Sequence, residues 1–189
     1  MNTQKQNKPY SDLSIDELKV LAEQGFSYAQ NNLANVYYHG KDVKIDYKKA
    51  VEWYTKAAEQ GNDVAQYNLG ACFYRGNGVK KDYQKAMDLY LKSAEQDNPM
   101  AQNAIGYCYS EGNGVKQDYS KAIEWYLKSA KQDFAEAQFN LGKCYEYGCG
   151  VDMDYKKAVE WYTKAAGAGN ARAIAKLKAS EEQDGSDPE

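Results

Sequence analysis

The chain has 189 residues, of which 43% are hydrophobic, a composition ordinary for a globular protein that buries a core. Its net charge of -3 offers no broad basic field, so we expect neither nucleic acid nor a membrane surface as a partner. Because it contains no signal-peptide core and no run approaching the about 20 apolar residues of a membrane span, we expect a cytoplasmic protein unless a signal peptide has been removed.

The chain begins with a polar stretch, residues 1–10, which we expect to be disordered. A capping segment follows over residues 11–26. Its sequence Ser14-Ile15-Asp16-Glu17 is typical of a capping box and predicts a helix that runs to about Gln24.

A 36-residue period then governs the sequence up to residue 170. The dipeptide Asp-Tyr recurs once per period and is followed by an alanine three residues after the tyrosine. The period divides the chain into four predicted repeats, residues 27–62, 63–98, 99–134 and 135–170. The recurring dipeptides begin at Asp46, Asp82, Asp118 and Asp154.

The sequence pattern of each repeat predicts two antiparallel helices, which we call helix A and helix B. In the second repeat, apolar residues at helical spacing predict helix A over residues 63–74, ended by glycine at Gly76. Asp82 suits the N-cap of helix B, which we expect from Tyr83 to about Glu95. The linkers between helices are too short for any arrangement but a helical hairpin.

Small residues recur in the middle of helix A. Glycine there costs about 1 kcal/mol relative to alanine, so its recurrence predicts a neighbouring helix pressed against the backbone. Cysteines two residues further on are interpreted as small core residues with reduced thiols, because stacked helices about 10 Å apart lie beyond disulfide reach. The glycines are Gly70, Gly106 and Gly142, and the cysteines are Cys72, Cys108 and Cys144.

The sequence offers little for chemistry. His39 is the single histidine, and no Cys-x-x-Cys pair occurs, so we expect no metal and no cofactor. Nucleophilic catalysis needs a base beside the nucleophile, which one histidine at a helix end hardly supplies. The sequence therefore predicts that the protein is not an enzyme.

The chain ends with a second predicted cap over residues 171–180, formed by a last helix from Ala171 to Ala179. Residues 181–189 are acidic and polar, and we expect a disordered tail. With the four A/B pairs and the two caps, about ten helices are expected.

The recurring pattern A-x-x-x-L-G-x-x-[YF]-x-x-G-x-G-V-x-x-D-[YF]-x-K-A resembles the Sel1-like repeat, a relative of the tetratricopeptide repeat. The resemblance covers residues 27–170 and implies an all-α fold, a right-handed α-solenoid of helix-turn-helix repeats. The first repeat departs from the pattern, because Asp42 replaces the second loop glycine. Asp is among the few residues that tolerate left-handed geometry, so the fold assignment stands.

The resemblance implies that helix A lines a concave surface and that the protein is a scaffold or adaptor for a protein or peptide. Asn32, Asn68 and Asn140 match the slot where related repeats carry a peptide-gripping asparagine, whereas Ala104 breaks the series. The predicted partner-binding residues are Tyr28, Asn31, Asn32, Asn35, Tyr38, His39, Tyr67, Asn68, Tyr74, Arg75, Asn103, Tyr107, Glu111, Phe139, Asn140, Lys143, Glu146 and Tyr147.

Charge along this surface is uneven, with His39 and Arg75 in the first half and Glu111, Glu136 and Glu146 in the second. It suggests a partner segment that is acidic at one end and basic at the other.

Two other functions stay open. One is a cell-wall or β-lactam-related activity, as in secreted cysteine-rich relatives, although those carry a disulfide-forming cysteine pair in each repeat. The other is self-association of what we otherwise expect to be a monomer.

Overall fold

The computed structural model describes residues 13–184, and within that range the chain forms ten α-helices and no strand. The described chain divides into two compact units, here called unit 1, which ends at Gln96, and unit 2, which begins at Asp97. The predicted all-helical repeat fold is confirmed. Residues 1–10, for which we expect disorder, lie outside the described range.

Unit 1 opens with the capping helix and continues with two A/B pairs, in which α2 and α4 are A helices and α3 and α5 are B helices. The helices are α1 (Ile15–Glu23), α2 (Ser27–His39), α3 (Tyr47–Glu59), α4 (Asp63–Arg75) and α5 (Tyr83–Ala94).

Unit 2 has two further pairs, with α6 and α8 as A helices and α7 and α9 as B helices, and then a final helix. The helices are α6 (Pro99–Glu111), α7 (Tyr119–Ala130), α8 (Ala135–Tyr147), α9 (Tyr155–Gly167) and α10 (Ala171–Asp184). Helix α10 continues past the predicted end at Ala179 and includes residues 181–184 of the expected disordered tail. Residues 185–189 lie outside the described range.

The helix ends follow the local chemistry of the sequence. Ser14 and Glu17 form the predicted capping box. The Asp82 carboxylate accepts a hydrogen bond from the Lys85 backbone amide at 3.0 Å, as an N-cap should. Asp42 has a φ of 61°, which confirms that it takes the left-handed geometry of the loop glycine it replaces.

The core is built from small residues and tyrosine rings that pack between A and B helices. A Cβ atom on Gly70 would stand 2.7 Å from the Tyr90 ring, so the predicted close approach is confirmed. The described cysteines are free, and Cys72, Cys108 and Cys144 are buried. Burial raises the pKa of Cys72 to about 11, which keeps this thiol protonated and unreactive at neutral pH.

No helix within residues 13–184 is long and apolar enough to cross a membrane.

Candidate functional site

All of the predicted partner-binding residues lie on the A helices, α2 and α4 in unit 1 and α6 and α8 in unit 2. Their exposure differs. Tyr28, Tyr107 and Tyr147 are exposed, at 57%, 43% and 56%. Asn31 and Phe139, in contrast, are only 5% and 7% exposed. The predicted set is therefore a mixture of surface residues and supporting residues.

The asparagines pair with each other across neighbouring A helices. The Asn68 side-chain amide donates to Asn31 Oδ1 at 3.0 Å in unit 1, and the Asn140 amide donates to Asn103 Oδ1 at 2.9 Å in unit 2. Asn32 differs, because its amide donates to the Tyr28 carbonyl within α2. These amide groups thus position the A helices, and Asn31 supports the surface rather than lying on it.

Phe139 is buried beneath residues from the end of unit 2. Its ring packs against the Tyr162 ring with centroids 5.4 Å apart, and the Arg172 guanidinium lies over the Phe139 ring at 4.3 Å from its centroid. Direct contact between Phe139 and a partner is therefore not expected, because α9 and α10 cover the ring.

Two of the expected acidic groups are offset by cations of α10. Glu136 forms an ion pair with Arg172. Glu146 pairs with Lys176 at 2.6 Å. Burial alone would raise the pKa of Glu146, but hydrogen bonds from Lys176 and Tyr162 outweigh it and hold that pKa below its usual value. Of the three acidic residues predicted for this half of the surface, Glu111 is the one without a cation of α10 in the described part of the chain, and it lines a pocket together with Lys143.

A pocket of about 300 Å³ opens between α6, α7 and α8 of unit 2. It collects five of the predicted residues, together with five others. The predicted residues are Tyr107, Glu111, Asn140, Lys143 and Tyr147, and the others are Ser110, Tyr119, Tyr126, Cys144 and Cys149.

The pocket is closed at its base by buried groups and rimmed by exposed ones. Tyr126 and Cys144 are 3% and 6% exposed, and the Tyr126 hydroxyl lies 3.3 Å from Ser110 Oγ. Burial raises the pKa of Tyr126 and raises that of Cys144 to about 11, so both groups stay protonated and uncharged. Glu111 and Lys143 are exposed and provide the charges of the rim.

The groups that line the pocket are mostly aromatic or uncharged, with charges at the rim. Among residues 13–184, no group of three His, Cys, Asp or Glu side chains could hold a metal ion. The Cys144 thiol is protonated, and the single histidine, His39, belongs to unit 1. What the pocket presents is aromatic surface, an amide, a carboxylate and an ammonium group.

Sequence reasoning does not select Tyr119, Tyr126 or Cys149 for this site. Tyr119 and Tyr126 occupy recurring positions, which the periodicity assigns to the fold, and Cys149 lies in a loop. The missed signal is a change within the register. Ser110 stands where the first two repeats carry Tyr38 and Tyr74, and a small residue at a position of large ones indicates a cavity.

Comparisons with known proteins agree with this repeat architecture. The model of the Sel1 repeat matches residues 27–62, 63–98, 99–134 and 135–170. No curated protein matches the chain.

Many solved structures are similar to this chain. A protective antigen of uropathogenic Escherichia coli with an SLR fold is 38% identical over 88% of this chain and 36% of its own, with a TM-score of 0.80. A Sel1 repeat protein from Oxalobacter formigenes is 36% identical over 85% of this chain and 64% of its own, with a TM-score of 0.81. An immunity protein from Pseudomonas aeruginosa is 26% identical, covering 89% of this chain and 62% of its own, with a TM-score of 0.63.

The chain thus spans less than two thirds of the length of these three structures. Sel1 repeat proteins generally mediate protein-protein interactions, and the repeat scaffold is generally non-enzymatic. With four consecutive matches over residues 27–170, this chain belongs to the Sel1 repeat family.

Proposed function

We propose that this protein is a non-enzymatic scaffold or adaptor that binds a protein or peptide through its A helices. The observation that carries the proposal is the unit 2 pocket, where side chains from α6 and α8 meet around an open volume of about 300 Å³. The pocket brings together exposed tyrosines and charged groups, the combination typical of a recognition surface.

The composition of the rim supports a protein partner. Tyr107 and Tyr147 expose large rings on the same face of unit 2, and such rings give contact area at low entropic cost. Asn140 lines the pocket as well and offers an amide group suited to polypeptide backbone. Lys143 and Glu111 can orient a partner through opposite charges.

The size of the pocket is also consistent with a protein partner. Pockets that enclose drug-sized ligands or cofactors span about 300–1,000 Å³, so this one lies at the lower limit of the range. A volume of this size accommodates a single side chain of a larger partner. The rest of the partner would lie along the exposed A-helix residues.

Site-specific photo-crosslinking tests this proposal. A benzophenone amino acid would replace Tyr147 at the pocket rim, with the same replacement at exposed Glu124 on α7 as the matched control. After irradiation in the native cell, we expect one discrete protein adduct from position 147 and none from position 124. Adducts of equal yield from both positions, or from position 124 alone, would contradict binding through the A helices.

A further inference from the structure

One register position of the repeat is occupied in three different ways. Tyr38 in unit 1 and Ser110 in unit 2 are separated by two repeats, and Glu146 follows Ser110 by one repeat. Each lies near the end of an A helix and contacts the ring or the hydroxyl of a buried tyrosine from the following B helix. Comparison of these three sites shows what the space at Ser110 can hold.

In unit 1 the space is filled by the ring of Tyr38. Its centroid lies 5.1 Å from that of Tyr47 and 6.4 Å from that of Tyr54, both on α3. The Tyr38 hydroxyl accepts hydrogen bonds from Asn77 Nδ2 at 2.8 Å and from the Arg75 guanidinium at 3.3 Å. A phenol group thus fits this site, with aromatic neighbours around the ring and nitrogen donors at the oxygen.

Near the end of unit 2 the space is occupied by an ion pair. The Glu146 carboxylate accepts a hydrogen bond from the Tyr162 hydroxyl at 2.6 Å and pairs with Lys176 of α10 at 2.6 Å. Here the chain supplies both the occupant and its partner from within, so the site is closed.

At Ser110 the occupant is missing from the repeat while its aromatic surroundings are kept. Tyr119 and Tyr126 hold the register positions of Tyr47 and Tyr54, and both line the open pocket. The short Ser110 side chain lies 3.0 Å from the Tyr107 carbonyl oxygen and 3.3 Å from the Tyr126 hydroxyl. The pocket therefore keeps the counterparts of the two tyrosines that surround Tyr38 in unit 1, but it has a serine in place of Tyr38.

The polar groups at the mouth have also changed. Tyr147 and Cys149 hold the positions of Arg75 and Asn77, the two donors to the Tyr38 hydroxyl. A cation is supplied instead by Lys143, which stands where unit 1 has Ala71 and which lines the pocket. Its ammonium group can donate to an oxygen at the tip of an inserted ring.

We infer that the unit 2 pocket takes the side chain of a tyrosine from the partner, with the phenol ring against Tyr119 and Tyr126 and the hydroxyl toward Lys143. This inference rests on the proposed function and adds the chemistry of the residue that is recognised. A cationic side chain is the alternative occupant of a tyrosine-lined pocket with a carboxylate. It is disfavoured because Lys143 in the same lining would repel it.

The test uses p-cresol as a probe for the tyrosine side chain and n-butylammonium as a probe for lysine. Both are titrated into the whole chain, with binding followed by saturation-transfer NMR and by amide shifts. We expect p-cresol to bind with a Kd on the order of 1 mM and to shift the amides of Ser110 and Tyr126. Preferential binding of n-butylammonium at these residues would overturn the inference.

The variant Ser110→Tyr supplies the missing ring from within, as unit 1 does with Tyr38. We expect it to stay folded and to weaken p-cresol binding at least tenfold. Ser120→Tyr, which adds the same ring at an exposed serine of α7, should leave binding unchanged. Equal p-cresol binding to wild type and folded Ser110→Tyr would place the probe elsewhere and refute the assignment.

The milder variant Lys143→Met tests the contact between the ammonium group and the phenol hydroxyl. It should weaken the binding of p-cresol more than the binding of toluene, which lacks the hydroxyl. Equal effects on the binding of both probes would count against the hydroxyl contact.

The two proposals can fail separately. If Ser110→Tyr abolishes the adduct formed by a benzophenone at position 147, the partner uses the pocket as inferred. If that adduct persists at full yield in Ser110→Tyr, the scaffold function stands and the tyrosine pocket does not. If the benzophenone at position 147 gives no adduct in the chain that keeps Ser110, although p-cresol binds to the wild-type pocket, the phenol specificity stands and the scaffold proposal falls.

Discussion

Gly106 of α6 lies directly against the ring of Tyr126, so a Cβ atom at residue 106 would stand 2.6 Å from Tyr126 Cδ1. The same Cβ would lie 3.1 Å from the Ala122 carbonyl oxygen, which cannot move without disturbing α7. Alanine would gain about 1 kcal/mol of helix propensity but would force the buried Tyr126 ring to shift. We therefore expect Gly106→Ala to lower the free energy of unfolding by about 1 kcal/mol, measured by urea denaturation.

Gly167, the last residue of α9, provides the matched control because a Cβ atom there meets nothing within 4 Å. Gly167→Ala should raise the free energy of unfolding by about 0.5–1 kcal/mol, through helix propensity alone. If Gly106→Ala stabilised the protein as much as Gly167→Ala, a Cβ atom at residue 106 would fit beside the Tyr126 ring and the predicted clash would be wrong.

Ser129 forms a buried hydrogen bond that ties α7 to the start of α6. Its hydroxyl is completely buried and donates to the Pro99 carbonyl at 2.7 Å. Ser129→Ala removes the donor and leaves that carbonyl without this hydrogen bond, so we expect a loss of about 1–2 kcal/mol in thermal or urea unfolding.

Ser120 lies on the same helix but is exposed, and Ser120→Ala should change the unfolding free energy by less than about 0.5 kcal/mol. Alanine occupies the position of Ser129 in the first and fourth repeats, at Ala57 and Ala165, so the variant should keep the fold. An unchanged stability of Ser129→Ala would show that the hydrogen bond makes no net contribution.

The parts of this fold that could be predicted from sequence are those set by local chemistry. Asp82 and the Ser14 capping box mark helix starts through side chains that satisfy nearby backbone amides. Gly70 reveals a helix contact because glycine in a helix is costly unless something presses on the backbone. A period repeated four times then extends each local prediction along the chain.

The burial of individual site residues could not be predicted in this way. Phe139 varies between repeats and so resembled a surface residue, but Tyr162 and Arg172 from distant parts of the sequence cover it. The pocket at Ser110 depends on a residue that is smaller than its counterparts, and only a comparison across the register could have indicated it. Tertiary contacts between non-equivalent residues decide both cases.

The cysteines should differ sharply in reactivity. Burial raises the pKa of Cys108 to about 12 and those of Cys72 and Cys144 to about 11, so thiolate is scarce at pH 8 and alkylating reagents cannot reach it. Cys149 is partly exposed at the pocket. With iodoacetamide at pH 8, we expect one alkylated cysteine in the native protein, identified as Cys149 by peptide mass spectrometry.

Unfolding in guanidinium should expose all four thiols to the reagent, which serves as the control for complete labelling. Native labelling of Cys108 at a rate comparable to that of Cys149 would contradict the buried position of the recurring cysteines. Saturating p-cresol should also slow labelling of Cys149, since both compete for the same pocket.

The ion pair between Glu146 and Lys176 should make the end of unit 2 sensitive to acid. The pKa of Glu146 lies below its usual value, so the carboxylate contributes stability above the unfolded pKa of about 4.3. That stability is lost as the pH falls through the lower, folded pKa. Lys176 has a raised pKa because of its hydrogen bond to Glu146, so its contribution persists until the pH rises through that value.

Glu146→Gln should therefore be less stable than wild type at pH 7, by about 0.5–1 kcal/mol because Lys176 is 39% exposed and partly screened. The difference should shrink as the pH falls through the lowered, folded-state pKa of Glu146, because the wild-type carboxylate then becomes protonated too. Urea denaturation at several pH values measures this trend. Glu160→Gln on the exposed side of α9 should show no such trend, and a pH-independent deficit in Glu146→Gln would assign its effect to packing instead of charge.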